Sequence, residues 1–184
     1  MNITSRACNF MRTGTAAVAI TLAGCASHNI EQYKAQQPEL DLAQYFNGKV
    51  VAHGIFQDRS GRVVRRFTVD LDGKWHGNKG VLDEHFTYSD GKKERRVWQL
   101  TQQADGHYTG IADDVVGIAS GRTVGNAFQW TYTLKLPVDG TVYEVQFDDW
   151  MYLMDGQVML NRATMSKYGI RLGEVTLSFQ KLSP

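Results

Sequence analysis

The chain has 184 residues, enough for one domain with a tail. Hydrophobic residues make up 42%, charged residues 21%, and there are only 3 prolines, which excludes a disordered, collagen-like or disulfide-scaffold chain. A net charge of +1 excludes a broadly basic nucleic-acid binder, and 18 glycines beside 11% aromatics lean toward antiparallel β-structure.

Residues 1–24 read as a signal peptide. Arg6 and Arg12 form a positive leader without an acid, and Thr13 to Gly24 is a small, apolar run too short to span a bilayer. Leu22-Ala23-Gly24-Cys25 resembles the lipobox of bacterial lipoproteins, which implies cleavage before Cys25 and attachment of diacylglycerol to its sulfur. Cys8 would leave with the leader, so the mature chain would hold one acylated cysteine and no intramolecular disulfide. Two or three acyl chains give a stable anchor, so the expected partner is a membrane, reached through Cys25. Ala26, not an aspartate, follows the cysteine; by the sorting rule of such lipoproteins this implies the outer membrane, facing the periplasm. Loss of Arg6 and Arg12 brings the net charge slightly below zero. Residues 25–40 read as a polar tether, with His28, Asn29, Gln32, Gln36, Gln37 and Pro38 and no apolar period.

Residues 41–184 read as a single all-β domain. Asp-Gly recurs at Asp72-Gly73, Asp90-Gly91, Asp105-Gly106, Asp139-Gly140 and Asp155-Gly156, joined by Asn47-Gly48 and Ser60-Gly61. Such pairs mark hairpin turns, because a type I′ turn needs positive φ at both central residues. The expected strands are Val50–Phe56, Val63–Leu71, Lys74–Trp75, Gly80–Tyr88, Lys93–Gln102, His107–Ala112, Val115–Ser120, Asn126–Leu136, Thr141–Leu153, Gln157–Ser166 and Ile170–Lys181, with some merging. No amphipathic helical stretch of three turns follows Leu42. A sheet this long tends to curl and close. The expected architecture is an antiparallel up-and-down β-barrel of about eight to ten strands, with a flat sandwich as the alternative.

Period-two alternation assigns inward faces. Phe128, Trp130, Tyr132, Leu134 and Leu136 share one face; so do Tyr143, Val145, Phe147 and Met151, and Val175, Leu177 and Phe179. Charges fall on these faces: Arg65 beside Phe67 and Val69, Glu84 between Leu82 and Phe86, Arg96 beside Trp98, and Asp149 between Phe147 and Met151. Buried charge is costly unless paired. The charges are therefore solvated at the barrel ends, paired in an internal network, or a clamp for a ligand head group. Arg65, Glu84, Arg96 and Asp149 would line the polar end of such a site, with Trp98, Phe128, Trp130 and Phe147 along an apolar tail.

Signals for catalysis are weak. His53, His76, His85 and His107 lack metal-ligand spacing, and no free cysteine nucleophile is expected. Asp113-Asp114 and Asp148-Asp149 are adjacent, and adjacent strand residues point to opposite faces. Gly117, Gly121 and Gly125 lack the lysine and helix of a phosphate loop and read as bends in the sheet. No cofactor, metal or enzymatic activity is expected.

Several phrases together carry a family resemblance. They are Tyr45-Phe46-Asn47-Gly48, Gly54-Ile55-Phe56-Gln57-Asp58-Arg59-Ser60-Gly61, Arg95-Arg96-Val97-Trp98, Ala112-Asp113-Asp114-Val115-Val116-Gly117, Phe147-Asp148-Asp149-Trp150-Met151-Tyr152-Leu153-Met154-Asp155 and Asn161-Arg162-Ala163. From about Leu40 to Lys181 the chain resembles the DUF3833 family of bacterial lipoproteins. The resemblance implies a lipid-anchored, lipocalin-like barrel; it supplies no activity and no site residues. The function expected is an outer-membrane-anchored lipoprotein that binds or carries a fatty acid or phospholipid. One alternative is a structural lipoprotein with a filled barrel and a partner surface near Trp150 and Tyr152. The other is a lipid-acting enzyme, which needs His53 or His85 to meet Asp149.

Overall fold

The computed structural model describes residues 28–183; the expected signal peptide and Cys25 lie outside them. Ten strands follow in order: β1 (Gly48–Asp58), β2 (Val63–His76), β3 (Lys79–Tyr88), β4 (Lys93–Gln102), β5 (His107–Ile111), β6 (Ala119–Val124), β7 (Ala127–Val138), β8 (Thr141–Leu153), β9 (Val158–Lys167) and β10 (Ile170–Lys181). Each pairs antiparallel with its neighbours in sequence, and β1 pairs with β10, from Val50 opposite Lys181 to Asp58 opposite Gly173. The result is the expected up-and-down barrel, closed without an edge. Its inward faces follow the alternation, so the core comes from every strand rather than from a separate layer.

One end is plugged. The chain enters through the one-turn helix α1 (Leu42–Tyr45), capped by the Asp41 carboxylate accepting from the Gln44 N–H at 3.0 Å. Leu42, Tyr45 and Phe46 are buried across the barrel end that receives the finish of β2 and the start of β3. The Phe46 carbonyl crosses so close to β2 that a Cβ on Gly73 would stand 1.6 Å from its oxygen. This corrects the reading of Asp72-Gly73 as a turn. It lies within β2, which absorbs the expected Lys74–Trp75 strand, and the real reversal follows at Gly77, with φ of +58°.

Three further features differ from the sequence reading. Val115–Ser120 is not a strand: Val115 makes one bridge to Leu134, Gly117 turns the chain at φ of +68°, and β6 starts at Ala119. Asp155-Gly156 is not a type I′ turn; the Asp155 carboxylate caps the Gln157 and Val158 N–H groups at 2.8 and 2.7 Å. Tyr168-Gly169, which carries no Asp or Asn, takes positive φ at both residues (52° and 75°) and closes the β9–β10 hairpin.

From residue 28 the segment read as a polar tether lies on the outer wall over β6, β7 and β8. Ile30 is buried with Ala127 and Trp150, Leu40 is buried in the main core, and the Leu40 N–H donates to the Gly125 carbonyl at 2.8 Å. His28 stacks on Trp150 at 3.9 Å between ring centroids, and Tyr33 meets Tyr152. The chain therefore covers the Trp150–Tyr152 face with its own strap, and that face is not an open partner surface.

Gly73→Ala is expected to destabilise the protein by about 2–3 kcal/mol or more, because backbone must move to admit the methyl. Gly156→Ala, which meets nothing within 4 Å, should be near neutral. Denaturant midpoints of the two variants check the contrast.

Candidate functional site

The inward faces enclose a cavity of about 900 Å³. It is floored by Leu42 and Phe46 and opens at the opposite end, among Tyr88, Leu136, Tyr143 and Leu172. Pockets that take a small molecule run to roughly 300–1,000 Å³, so this interior matches one whole ligand. Its middle is aromatic. Trp98 meets Trp130 edge-on at 5.7 Å between centroids, and Tyr132 stacks on Phe147 at 4.9 Å. Gly110 makes room for this layer: a Cβ there would stand 2.8 Å from Leu100 and 3.0 Å from Trp130.

All eight residues singled out from the sequence lie on the wall of this cavity: Arg65, Glu84, Arg96, Trp98, Phe128, Trp130, Phe147 and Asp149. The structure gathers them into two groups at different depths. Arg65 stands at the mouth. Its guanidinium lies 3.8 Å from the centre of the Tyr88 ring and donates to Asp90 at 2.5 Å. Arg96 lies deeper, opposite Glu84 in the β3–β4 ladder. It donates through Nε and Nη2 to both oxygens of Asp114 at 2.8–3.1 Å, while its Nη1 stays 3.8 Å from Glu84. Both guanidinium groups are thus already engaged by acids of the chain itself, and neither is a free clamp for a carboxylate.

Asp149 is only 7% exposed, and one of its oxygens accepts from the Asn161 amide, whose Nδ2 also donates to the Trp150 carbonyl at 3.2 Å. Burial pushes Asp149 up to about 7, with Asp148 adding to the rise while the Asn161 bond and Arg96 oppose it. Burial likewise pushes Glu84 up to about 7; Arg96 opposes it, and the charges of Asp114 and Asp149 add to it. Burial also raises the Tyr132 hydroxyl, which shares this environment. The net effect of Asp114 and Glu84 on Arg96 is upward, so the guanidinium stays charged despite its burial.

Three members of the cluster escaped the sequence reading as site residues. Tyr132 and Asn161 were detectable by parity, since Asn161 alternates with the buried Met159 and Ala163. Asp114 was not, because it reaches in from the irregular segment between β5 and β6. His53, His76, His85 and His107 are all exposed, and none lines the cavity. Asp149 faces inward, so neither His53 nor His85 meets it. Among the described residues no group of three His, Cys, Asp or Glu side chains could hold a metal ion.

The profile of the family described as protein of unknown function (DUF3833) matches residues 19–181. The chain belongs to the DUF3833 family. No curated protein matches it. Among solved structures, the S-type phycobiliprotein lyase CPES from Guillardia theta superposes with a TM-score of 0.61 at 5% identity, over 85% of this chain and 99% of that one. At that identity the likeness concerns the fold alone. A de novo designed fluorescence-activating β-barrel is more distant, with a TM-score of 0.42 at 12% identity over 78% of this chain and 99% of the design. The lipocalin-like barrel expected of this DUF3833 chain is the fold observed.

The raised carboxyl groups set the sign of a pH effect. The folded state holds these two protons more tightly than the unfolded chain, so the stability they contribute is full below the ordinary carboxyl range. That contribution is lost as pH rises through about 7. The thermal midpoint should fall between about pH 5 and pH 8, and Asp149→Asn should flatten the slope. A wild-type midpoint that climbs steadily across this window would contradict the assignment.

Proposed function

We propose that this DUF3833 protein is an envelope lipoprotein, anchored through Cys25 to the outer membrane and facing the periplasm. It carries a small hydrophobic molecule of the fatty-acid or phospholipid class in its barrel. The observation that supports this reading is the cavity itself: about 900 Å³, walled mainly by apolar and aromatic side chains and open at one end. Each methylene moved from water into such an interior gains about 0.8 kcal/mol, so an acyl chain is a well-matched occupant. Its anionic end would rest at the mouth, where Lys135 and Lys167 line the opening. The same cavity argues against the alternative of a solid structural barrel, and the strap over Trp150 removes the partner surface that the alternative offered.

The test is native mass spectrometry of the periplasmically expressed Cys25→Ser protein without its leader, followed by extraction and identification of any lipid. A stoichiometric extra mass belonging to one lipid class is the expected result. A clean apo mass that ignores added fatty acids and phospholipids would overturn the proposal.

A further inference from the structure

The wall of the cavity changes electrical character with depth. Around the mouth Arg65 is matched by Asp90 and Lys92 by Glu94, and Lys135 and Lys167 add positive charge beyond these pairs. At mid-depth the balance reverses, and Glu84, Asp114 and Asp149 face the single guanidinium of Arg96. Arg96 gives its hydrogen bonds to Asp114 and keeps only a 3.8 Å ion pair with Glu84, so three acids share one guanidinium and Asp149 takes its hydrogen bond from Asn161 instead.

Unfilled acceptors gather at the same place. Asn161 is 2% exposed and lines the cavity, yet its Oδ1 has no hydrogen-bond partner. Asp149 receives a bond from Asn161 on one oxygen only. Buried acceptors are ordinarily satisfied, and an unmet one costs about 1–3 kcal/mol. A ligand carboxylate would be repelled at this depth, whereas a hydroxyl would be welcomed. Burial pushes both carboxyl groups up, toward the protonated form in which a carboxyl donates as well as accepts, and a hydroxyl does both.

Depth locates that hydroxyl on the ligand. Glu84 lies four residues below Tyr88 on β3, and Asp149 six below Tyr143 on β8. At ~3.3 Å per residue and a strand tilt of 35–45°, the cluster sits roughly 10–15 Å beneath the mouth. Building on the carrier reading above, we infer that the ligand is an acyl amphiphile with a hydroxyl partway along its chain. The hydroxyl is held by Glu84 and Asp149 beside Asn161, and the anionic end lies at Lys135 and Lys167.

The experiment is calorimetric titration of the Cys25→Ser protein with octadecanoate and with its mid-chain hydroxy derivative, below their micellar concentrations. The hydroxy acid should bind about tenfold tighter, as one well-made hydrogen bond to an otherwise unmet acceptor allows. Asp149→Leu and Glu84→Leu should each bring the two acids within about twofold of one another. Each removes one of the two carboxyl groups, so whichever variant keeps its near-ultraviolet circular dichroism decides the matter. Equal affinities in the parent protein, or a preference that survives the substitutions, would overturn the inference and leave the carrier reading standing. Binding of neither acid would count against both.

Discussion

The pairing of β1 with β10 is the constraint on which the rest of the molecule depends. An open meander of ten strands would leave two unpaired edges and an apolar face with nothing to cover it. Closure turns that face inward on every strand at once, so the same alternation that makes each strand also makes the interior. Eight strands give a bore that side chains can just fill, and two more enlarge it. The space left over is the cavity. Leu42 and Phe46 close one end because the chain threads α1 across it, and Gly73 lets the Phe46 carbonyl pass.

Polar groups persist in this interior at a cost that packing alone would not tolerate. Arg96 and Asp114 meet through two nitrogens and two oxygens, the geometry that best repays desolvation. Glu84 has only the longer contact to Arg96 and Asp149 only the Asn161 amide, and burial pushes both toward the uncharged form. Packing would be better served by leucine at both positions, and the hydroxyl-bearing guest proposed above would give each of them a partner. At the rim, by contrast, Arg65 is braced by Tyr88 and Asp90, and solvent screens the surrounding charges.

The inner faces were legible from sequence because strand periodicity is short and every strand of a closed barrel obeys it. That reading placed Glu84, Arg96 and Asp149 on the wall beside Trp98 and Phe147 without any knowledge of topology. What stayed hidden depended on contacts distant in sequence. Asp72-Gly73 has the local chemistry of a turn, but its glycine answers to a carbonyl that crosses from α1. Residues 28–40 have a linker's composition, yet Ile30, Tyr33 and Leu40 are enough to seat the strap on Trp150 and Gly125. The neutralisation of Arg96 could not be foreseen, because Asp114 belongs to an irregular segment that no periodicity describes. Tyr168-Gly169 turned without the usual Asp or Asn because a two-residue loop between β9 and β10 dictates its own dihedral angles.

The central claim is that the barrel interior is open space available to an apolar guest. Crystals of the Cys25→Ser protein exposed to xenon under pressure measure this directly, since the gas binds in empty apolar cavities and scatters strongly. Xenon density between Trp98, Trp130 and Phe147, or a bound lipid already occupying that volume, is the result expected. An interior closed by inward collapse of those side chains, with neither gas nor ligand inside, would contradict the account.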